Sequence, residues 1–164
     1  MNSAKKVAVR GMLVAAAFVL GWLETQIPVF IAVPGVKLGL TNVVVLIALY
    51  RLGVGDALVI NLIRIVLTGL TFGSLFSMWY SLAGGLLGTV GMIALKKCRA
   101  GTVTVSVCGG VLHNLGQLLV AYFVLESSSL FYYMVILWIS GIISGAAVGM
   151  LGALVIKRLS NFHL

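Results

Sequence analysis

Long apolar runs, separated by short polar or basic segments, make up almost the whole chain. A helix needs about 20 mostly apolar residues to cross the hydrocarbon core of a bilayer. We place six predicted spans roughly at Val7 to Ile27, Leu38 to Leu52, Val54 to Leu70, Phe76 to Leu95, Thr102 to Leu125 and Leu130 to Ile156. The tight turn YRLGVGD makes the second and third spans an antiparallel hairpin. The pattern predicts one all-α domain over residues 1–164, an integral membrane bundle of six transmembrane helices.

Composition agrees with this prediction, because hydrophobic residues form 62% of the chain, charged residues form 9%, and the mean hydropathy is +1.21. A soluble catalytic or nucleotide-binding domain has no room beside these spans, so the membrane segments must carry the function. The formal net charge is +8, but the basic residues cluster at the ends of apolar runs, so we expect no nucleic-acid binding. Cys98 and Cys108 have no metal-ligand spacing, and we predict neither a metal nor a cofactor.

Lysine and arginine define the orientation, because cytoplasmic loops carry an excess of both residues. If the N-terminus is cytoplasmic, the residues on that side include Lys5, Lys6, Arg10, Arg51, Lys96, Lys97, Arg99, Lys157 and Arg158. Lys37 then lies outside, and Arg64 lies within a span. We therefore predict a multi-pass protein of the cell (cytoplasmic) membrane with both termini in the cytoplasm.

The segment PVFIAVPGVKLG connects the first two spans on the predicted outer side. It contains both prolines of the protein, has no helical periodicity and is apolar enough to dip back into the bundle. We predict an outer loop that covers a binding site, with Lys37 directed at the ligand.

Further polar side chains collect in the same outer half of the predicted bundle. Beside Lys37, the candidate ligand-binding residues are Glu24, Asn42, Arg64, His113, Asn114 and Gln117. His113 and Gln117 are four residues apart and share a helix face. Lys37 and Arg64 suit an anionic ligand group, because arginine forks onto carboxylates and phosphates. Trp79 and Tyr80 suit stacking, so the predicted ligand is a small molecule that is anionic or flat and aromatic.

Each of these residues also has a purely structural interpretation. Arg64 can pair with Glu24, because a charge at that depth needs a partner or water. His113 and Asn114 can form interhelical hydrogen bonds, and Lys37 can extend to the membrane interface. The aromatic residues near the outer interface also fit an ordinary aromatic belt.

Small residues recur at four-residue spacing on three of the predicted spans. The stripes are Gly141, Gly145 and Gly149 on the sixth span, Gly84 and Gly88 on the fourth, and the pairs Gly11 and Ala15 and Ala17 and Gly21 on the first. Such stripes let helices approach closely. We expect most of them to pack inside the bundle, while the cytoplasmic end of the first span can also seat the helix of a partner.

Two segments, RGMLVAAAFVLGWLE and PGVKLGLTNVVVLIALYRLGVGDAL, resemble the S components of energy-coupling factor (ECF) vitamin transporters. S components are the substrate-binding membrane subunits of these transporters. The chain is most similar to the branch called Gx transporter or heptaprenyl diphosphate synthase component I. The resemblance covers nearly the whole chain, and PGVKLGLTN is its most specific part. It implies six helices and a ligand bound from outside under the first loop, but it does not name that ligand.

The resemblance also implies partner proteins. Members of this group dock on a transmembrane T component through an Ala-xxx-Ala motif on the first helix. Gly11 takes the place of the first alanine here, and Ala15 is the second. The chain has no Walker lysine motif, so ATPase subunits must supply the energy.

The synthase name is not supported by the residues. A prenyl synthase of the usual type needs aspartate-rich clusters that hold magnesium on a diphosphate. The acidic residues here are Glu24, Asp56 and Glu126, which are scattered over both predicted faces. No Ser/His/Asp or Cys/His arrangement is supported either, so we expect no enzyme activity.

The leading hypothesis is a membrane-embedded binding subunit that captures a small vitamin-like or cofactor-precursor molecule outside for ATP-driven uptake by partner subunits. The alternative is a non-catalytic accessory membrane subunit of an isoprenoid- or quinone-related enzyme complex, in which the polar groups serve helix packing. A stand-alone channel is disfavoured, because six short helices offer little more than one occluded site.

The predicted topology is testable by cysteine accessibility in intact cells. We expect Val36→Cys to react with a membrane-impermeant thiol reagent added outside, and Ser160→Cys to stay unlabelled, because positive charge holds the termini inside. The parent protein, which contains Cys98 and Cys108, is the control. Labelling of Ser160→Cys from outside would contradict the topology.

Overall fold

The computed structural model describes residues 3–26, 38–126 and 128–161, and in these ranges the regular structure is entirely helical. The six helices are α1 (Ser3–Gln26), α2 (Leu40–Arg51), α3 (Val54–Thr71), α4 (Leu75–Lys97), α5 (Thr102–Leu125) and α6 (Met134–Ser160). A short 3-10 helix, Ser128–Tyr133, precedes α6. The predicted all-α bundle is confirmed.

Five helices, all except α2, are long and apolar enough to cross a membrane. The 12 residues of α2 extend only about 18 Å at 1.5 Å per residue, whereas the hydrocarbon core is about 30 Å thick. The predicted span from Leu38 to Leu52 is longer than this helix, because Gly39 adopts a left-handed conformation with φ 72° and the helix begins after it. The second predicted span is therefore a short helix.

The short helix α2 lies inside the bundle. Its residues from Val43 to Leu49 are buried, and they form much of the hydrophobic core. Helices α1, α3, α4 and α6 contact it, so the middle of α2 is shielded by protein. This arrangement brings the beginning of α2 into the outer half of the bundle.

The glycine stripes of α4 and α6 pack against α5. A Cβ added at Gly88 would lie 2.7 Å from the Gly109 carbonyl oxygen, and one at Gly110 would lie 2.6 Å from that of Gly141. A Cβ at Gly145 would lie 2.7 Å from the Cα of Val107. The obstacles are backbone atoms, so only glycine permits this approach. The expectation of internal packing for these stripes is confirmed.

Basic residues at the predicted cytoplasmic end bind groups within the chain. Asp56 of α3 forms ion pairs with Lys6 and Arg10, which ties α1 to α3. Arg51 Nη2 donates to the Leu159 carbonyl oxygen at 2.8 Å, near the end of α6. Lysine and arginine are favourable at helix C-termini, where they meet free carbonyl groups. These side chains therefore fasten the helix ends, whichever way the protein is inserted.

The α4–α5 contact makes a stability prediction. A Cβ at Gly116 would lie 2.8 Å from the Ala83 carbonyl oxygen and from the Gly84 Cα. We expect Gly116→Ala to lower the melting temperature in detergent, with a loss of about 1 to 3 kcal/mol from overpacking. Gly55→Ala is the matched control, because nothing lies within 4 Å of a Cβ there. Equal melting temperatures for the two variants would contradict the packing.

Candidate functional site

A cavity of about 350 Å³ lies in the predicted outer half of the bundle. All six helices contribute to its wall, and α6 does so through Ser144. The candidates that line it are Glu24, Asn42, Arg64, His113 and Asn114. The volume falls at the lower end of the range of about 300 to 1,000 Å³ for small-molecule sites. The structure thus brings five of the predicted residues to one small-molecule-sized space.

Arg64 is the most buried charged group of the cavity, and each of its three guanidinium nitrogens donates a hydrogen bond. Its Nη1 donates to Thr41 Oγ1 at 2.7 Å, its Nη2 to Asn42 Oδ1 at 3.1 Å and its Nε to Asn61 Oδ1 at 2.9 Å. The residue is only 6% exposed, and these three acceptors are neutral. A guanidinium has five N–H donors, so two N–H groups have no protein acceptor in the described ranges.

The network continues from Arg64 into α4 through Asn61. The Nδ2 of this fully buried asparagine donates to the Gly85 carbonyl oxygen and to Thr89 Oγ1, both at 2.9 Å. The sequence analysis missed Asn61 and Thr41. A signal was present, because Asn61, Arg64 and Thr68 recur at intervals of three and four residues on an otherwise apolar helix.

Glu24 does not form the ion pair with Arg64 that one interpretation of the sequence predicted. Within the described ranges, the ion pairs are those of Asp56. Glu24 Oε1 instead accepts the Gly39 N–H at 2.5 Å. Gly39 caps α2 without a side chain of its own, and a carboxylate is stabilised at the positive end of a helix. The carboxylate therefore binds the beginning of α2 while it lines the cavity.

On α5, neighbouring polar residues take different roles. Asn114 Nδ2 donates to the Leu137 carbonyl oxygen at 2.7 Å and to Ser140 Oγ at 3.2 Å, so the predicted interhelical bond exists although Asn114 also lines the cavity. Gln117 is not part of the wall. It is 8% exposed and packs against Gly84, and its Oε1 has no hydrogen-bond partner in the described ranges.

Trp79 and Tyr80 are not among the residues that line the cavity, and Trp79 is 58% exposed. The structure therefore does not bring them to the space where a ligand would stack. Phe72 is the residue with a benzene ring on the wall, and it already contacts Phe18 at a centroid distance of 4.9 Å. Lys37 lies outside the described residues, so its contact with a ligand stays a prediction.

The two small-residue pairs of α1 face in different directions. Ala17 and Gly21 are buried in the bundle. Gly11 and Ala15 are exposed, and a Cβ added at Gly11 would meet nothing within 4 Å. The predicted docking residues thus lie on the surface of the monomer, near the middle of α1 and more than two helical turns before Glu24.

Comparison with known proteins gives a family and a fold. The family model described as heptaprenyl diphosphate synthase component I matches residues 13–155. Among solved structures, the chain is similar to the S component of a bacterial ECF transporter, with 24% identity, a TM-score of 0.75 and 98% of each chain covered. The comparison with curated proteins gave no match. The matched structure is that of a transporter component, and it shares the fold of this chain.

The network around Arg64 makes a prediction that needs no ligand. Asn61→Ala leaves Arg64 Nε without its acceptor in a buried place, so we expect a lower melting temperature, with a loss of about 1 to 3 kcal/mol. Thr71→Ala, an exposed change on the same helix, is the control. The double variant Asn61→Ala/Arg64→Ala should lose less than the sum of the single changes, because the two side chains are coupled. Additive losses of stability would show that the side chains of Asn61 and Arg64 are not coupled.

Proposed function

The chain belongs to the family described as heptaprenyl diphosphate synthase component I, and we propose that it is the substrate-binding membrane subunit of an ECF-type transporter. In this proposal the subunit captures a small vitamin-like or cofactor-precursor molecule from outside in the cavity. Partner subunits then drive its uptake with ATP. The observation that carries the proposal is Arg64, a buried cation on the cavity wall that neutral side chains hold in place.

The proposed ligand contacts are the charged and polar side chains that line the cavity. Arg64 retains two N–H donors, which suit the oxygens of a carboxylate or phosphate. Asn42, His113 and Asn114 line the same space and contact polar edges of the ligand. Lys37 adds a second positive charge from the outer loop. Stacking of a flat ring on Trp79 and Tyr80 has no support from the geometry, so the ligand is defined by its charge.

The arrangement of acidic groups favours binding over prenyl transfer. Asp56 is engaged by Lys6 and Arg10 at the far end of α3, and Glu24 binds the beginning of α2. The described ranges contain no group of three or more His, Cys, Asp or Glu residues that could hold a metal ion. A magnesium-bound diphosphate requires such clustered oxygen ligands. We therefore propose a non-catalytic role for the chain.

The exposed face at Gly11 and Ala15 is the proposed contact with a T component. Small residues permit close approach of a partner helix within the bilayer. Because the ligand cavity lies in the other half of the bundle, docking and binding use separate surfaces. The family description favours a second candidate, an accessory subunit of an isoprenoid- or quinone-related enzyme complex. That role would need no ligand in the cavity.

Two variants, one expected to lose only docking and the other only the ligand, test the proposed function. We expect Ala15→Trp to abolish co-purification with co-expressed T and ATPase subunits and to keep the co-purifying small molecule seen in native mass spectrometry. Arg64→Ala should lose that molecule, because it removes a charge-assisted contact of about 1.5 to 3 kcal/mol, and should keep the association. Leu154→Trp, at a residue of α6 that is 64% exposed, is the bulky control.

Three outcomes would contradict the proposal. A parent protein that carries no small molecule and supports no uptake would favour the accessory-subunit alternative. Loss of both ligand and association in Ala15→Trp would show that this face serves folding. Retention of ligand in a stable Arg64→Ala protein would place the binding site elsewhere.

A further inference from the structure

We infer that the ligand is a compact zwitterion, in which one anionic group binds Arg64 and one cationic nitrogen binds Glu24. The inference rests on the proposed function and deepens it from an anionic ligand to one that carries both charges. Its basis is that a cation and an anion line the same cavity without forming an ion pair with each other.

The first observation is the carboxylate of Glu24, which forms no ion pair with another residue in the described part of the chain. Glu24 places a carboxylate on the cavity wall, and among the residues that the structure describes the Gly39 N–H donates to its Oε1. A site for a purely anionic molecule would gain from a neutral side chain there, because like charges repel strongly where water is excluded. A cationic nitrogen on the ligand turns this repulsion into attraction, and it supplies donors to the remaining lone pairs of the carboxylate.

The second observation is the hydrogen-bonding character of the wall. Thr25 and Thr68 donate their hydroxyl hydrogens to the carbonyl oxygens of Trp22 and Arg64, each at 2.7 Å. Each hydroxyl has one hydrogen and two lone pairs, so each can only accept from a ligand, although Thr25 Oγ1 already accepts from Gln26 Nε2 at 3.3 Å. Together with Glu24 they form an acceptor-rich part of the wall, which suits a ligand that donates N–H groups.

Hydrogen-bond donors also line the cavity. Within the described ranges, Arg64 has two N–H groups without a protein acceptor, and Asn42 accepts from Arg64 through its Oδ1, so its amide nitrogen can donate. A ligand held by both kinds of group therefore needs both acceptors and donors. This combination matches a carboxylate or phosphate joined to an ammonium-type nitrogen.

The two charges are anchored close together. Glu24 is bound to Gly39, and Arg64 is bound to Thr41 and Asn42, all at the beginning of α2. Consecutive Cα atoms are about 3.8 Å apart, so Gly39 and Thr41 are separated by no more than about 7.6 Å. A molecule that contacts both charged groups has its own charges within a few bonds of each other, as amino-acid-like compounds do.

The small molecule extracted from purified parent protein provides the first measurement. Capillary electrophoresis of the extract should show one compound that migrates as a cation at low pH and as an anion at high pH. A compound that is only ever anionic would overturn this inference while the proposed function stands. A parent protein with no bound compound would overturn the proposed function itself.

The variant Glu24→Gln provides the second measurement, with the extracted compound as the probe. Glutamine keeps an oxygen that accepts the Gly39 N–H, so α2 should begin normally and the ligand-free melting temperature should be unchanged. We expect the affinity for the extracted compound to fall by at least about tenfold, the loss of one charge-assisted hydrogen bond. Glu126→Gln, an exposed residue outside the cavity, should bind like the parent.

The direction in which Glu24→Gln changes the ligand affinity distinguishes a zwitterionic ligand from a purely anionic one. A purely anionic compound would bind equally or more tightly to Glu24→Gln, because the change removes a like charge from the wall. Unchanged or increased affinity would therefore overturn the zwitterion, and Glu24 would serve only to hold α2. A fall in affinity with an unchanged melting temperature would establish the contact.

Discussion

The buried positive charge of Arg64 is the constraint around which the outer half of the bundle is built. A charged donor in a low-dielectric interior is costly unless its hydrogen bonds are satisfied. Thr41, Asn42 and Asn61 accept hydrogen bonds from Arg64, and Asn61 in turn donates a hydrogen bond to Thr89. Because these residues belong to α2, α3 and α4, the hydrogen bonds of Arg64 and Asn61 together hold three helices at fixed relative positions.

The helices that surround the cavity are joined in two different ways. Ion pairs and polar side chains hold α1, α2 and α3 together, as Asp56 does at one end and Arg64 at the other. Glycine contacts hold α5 against α4 and α6 by direct backbone packing. The first group brings both charged residues to the wall, whereas the second brings serine, asparagine and histidine. The cavity therefore has a charged side and a side without carboxylates or guanidinium groups.

The family description and the fold suggest different functions, and the placement of the residues favours our proposal. The family is described as a synthase component, but the carboxylates of this chain are apart, and Asp56 is neutralised by Lys6 and Arg10. The fold is shared with a transporter S component, and its cavity and exposed small-residue face suit capture and docking. These surfaces are more than two helical turns apart along α1, so a ligand and a partner need not compete.

The sequence by itself determined the all-helical bundle and five of the polar residues that line the cavity. Long apolar runs permit few other structures, and polar groups such as Arg64 and His113 stand out because burying them is costly. Tertiary structure decided which of them meet. Asn114 and Gln117 are three residues apart on α5, yet only Asn114 reaches the cavity, since Gln117 packs against a glycine of α4. Glu24 binds Gly39 because that residue begins α2 in a left-handed conformation, which hydrophobic periodicity does not encode. Contacts between distant segments depend on helix rotation and close approach, and these are set by packing of the whole bundle.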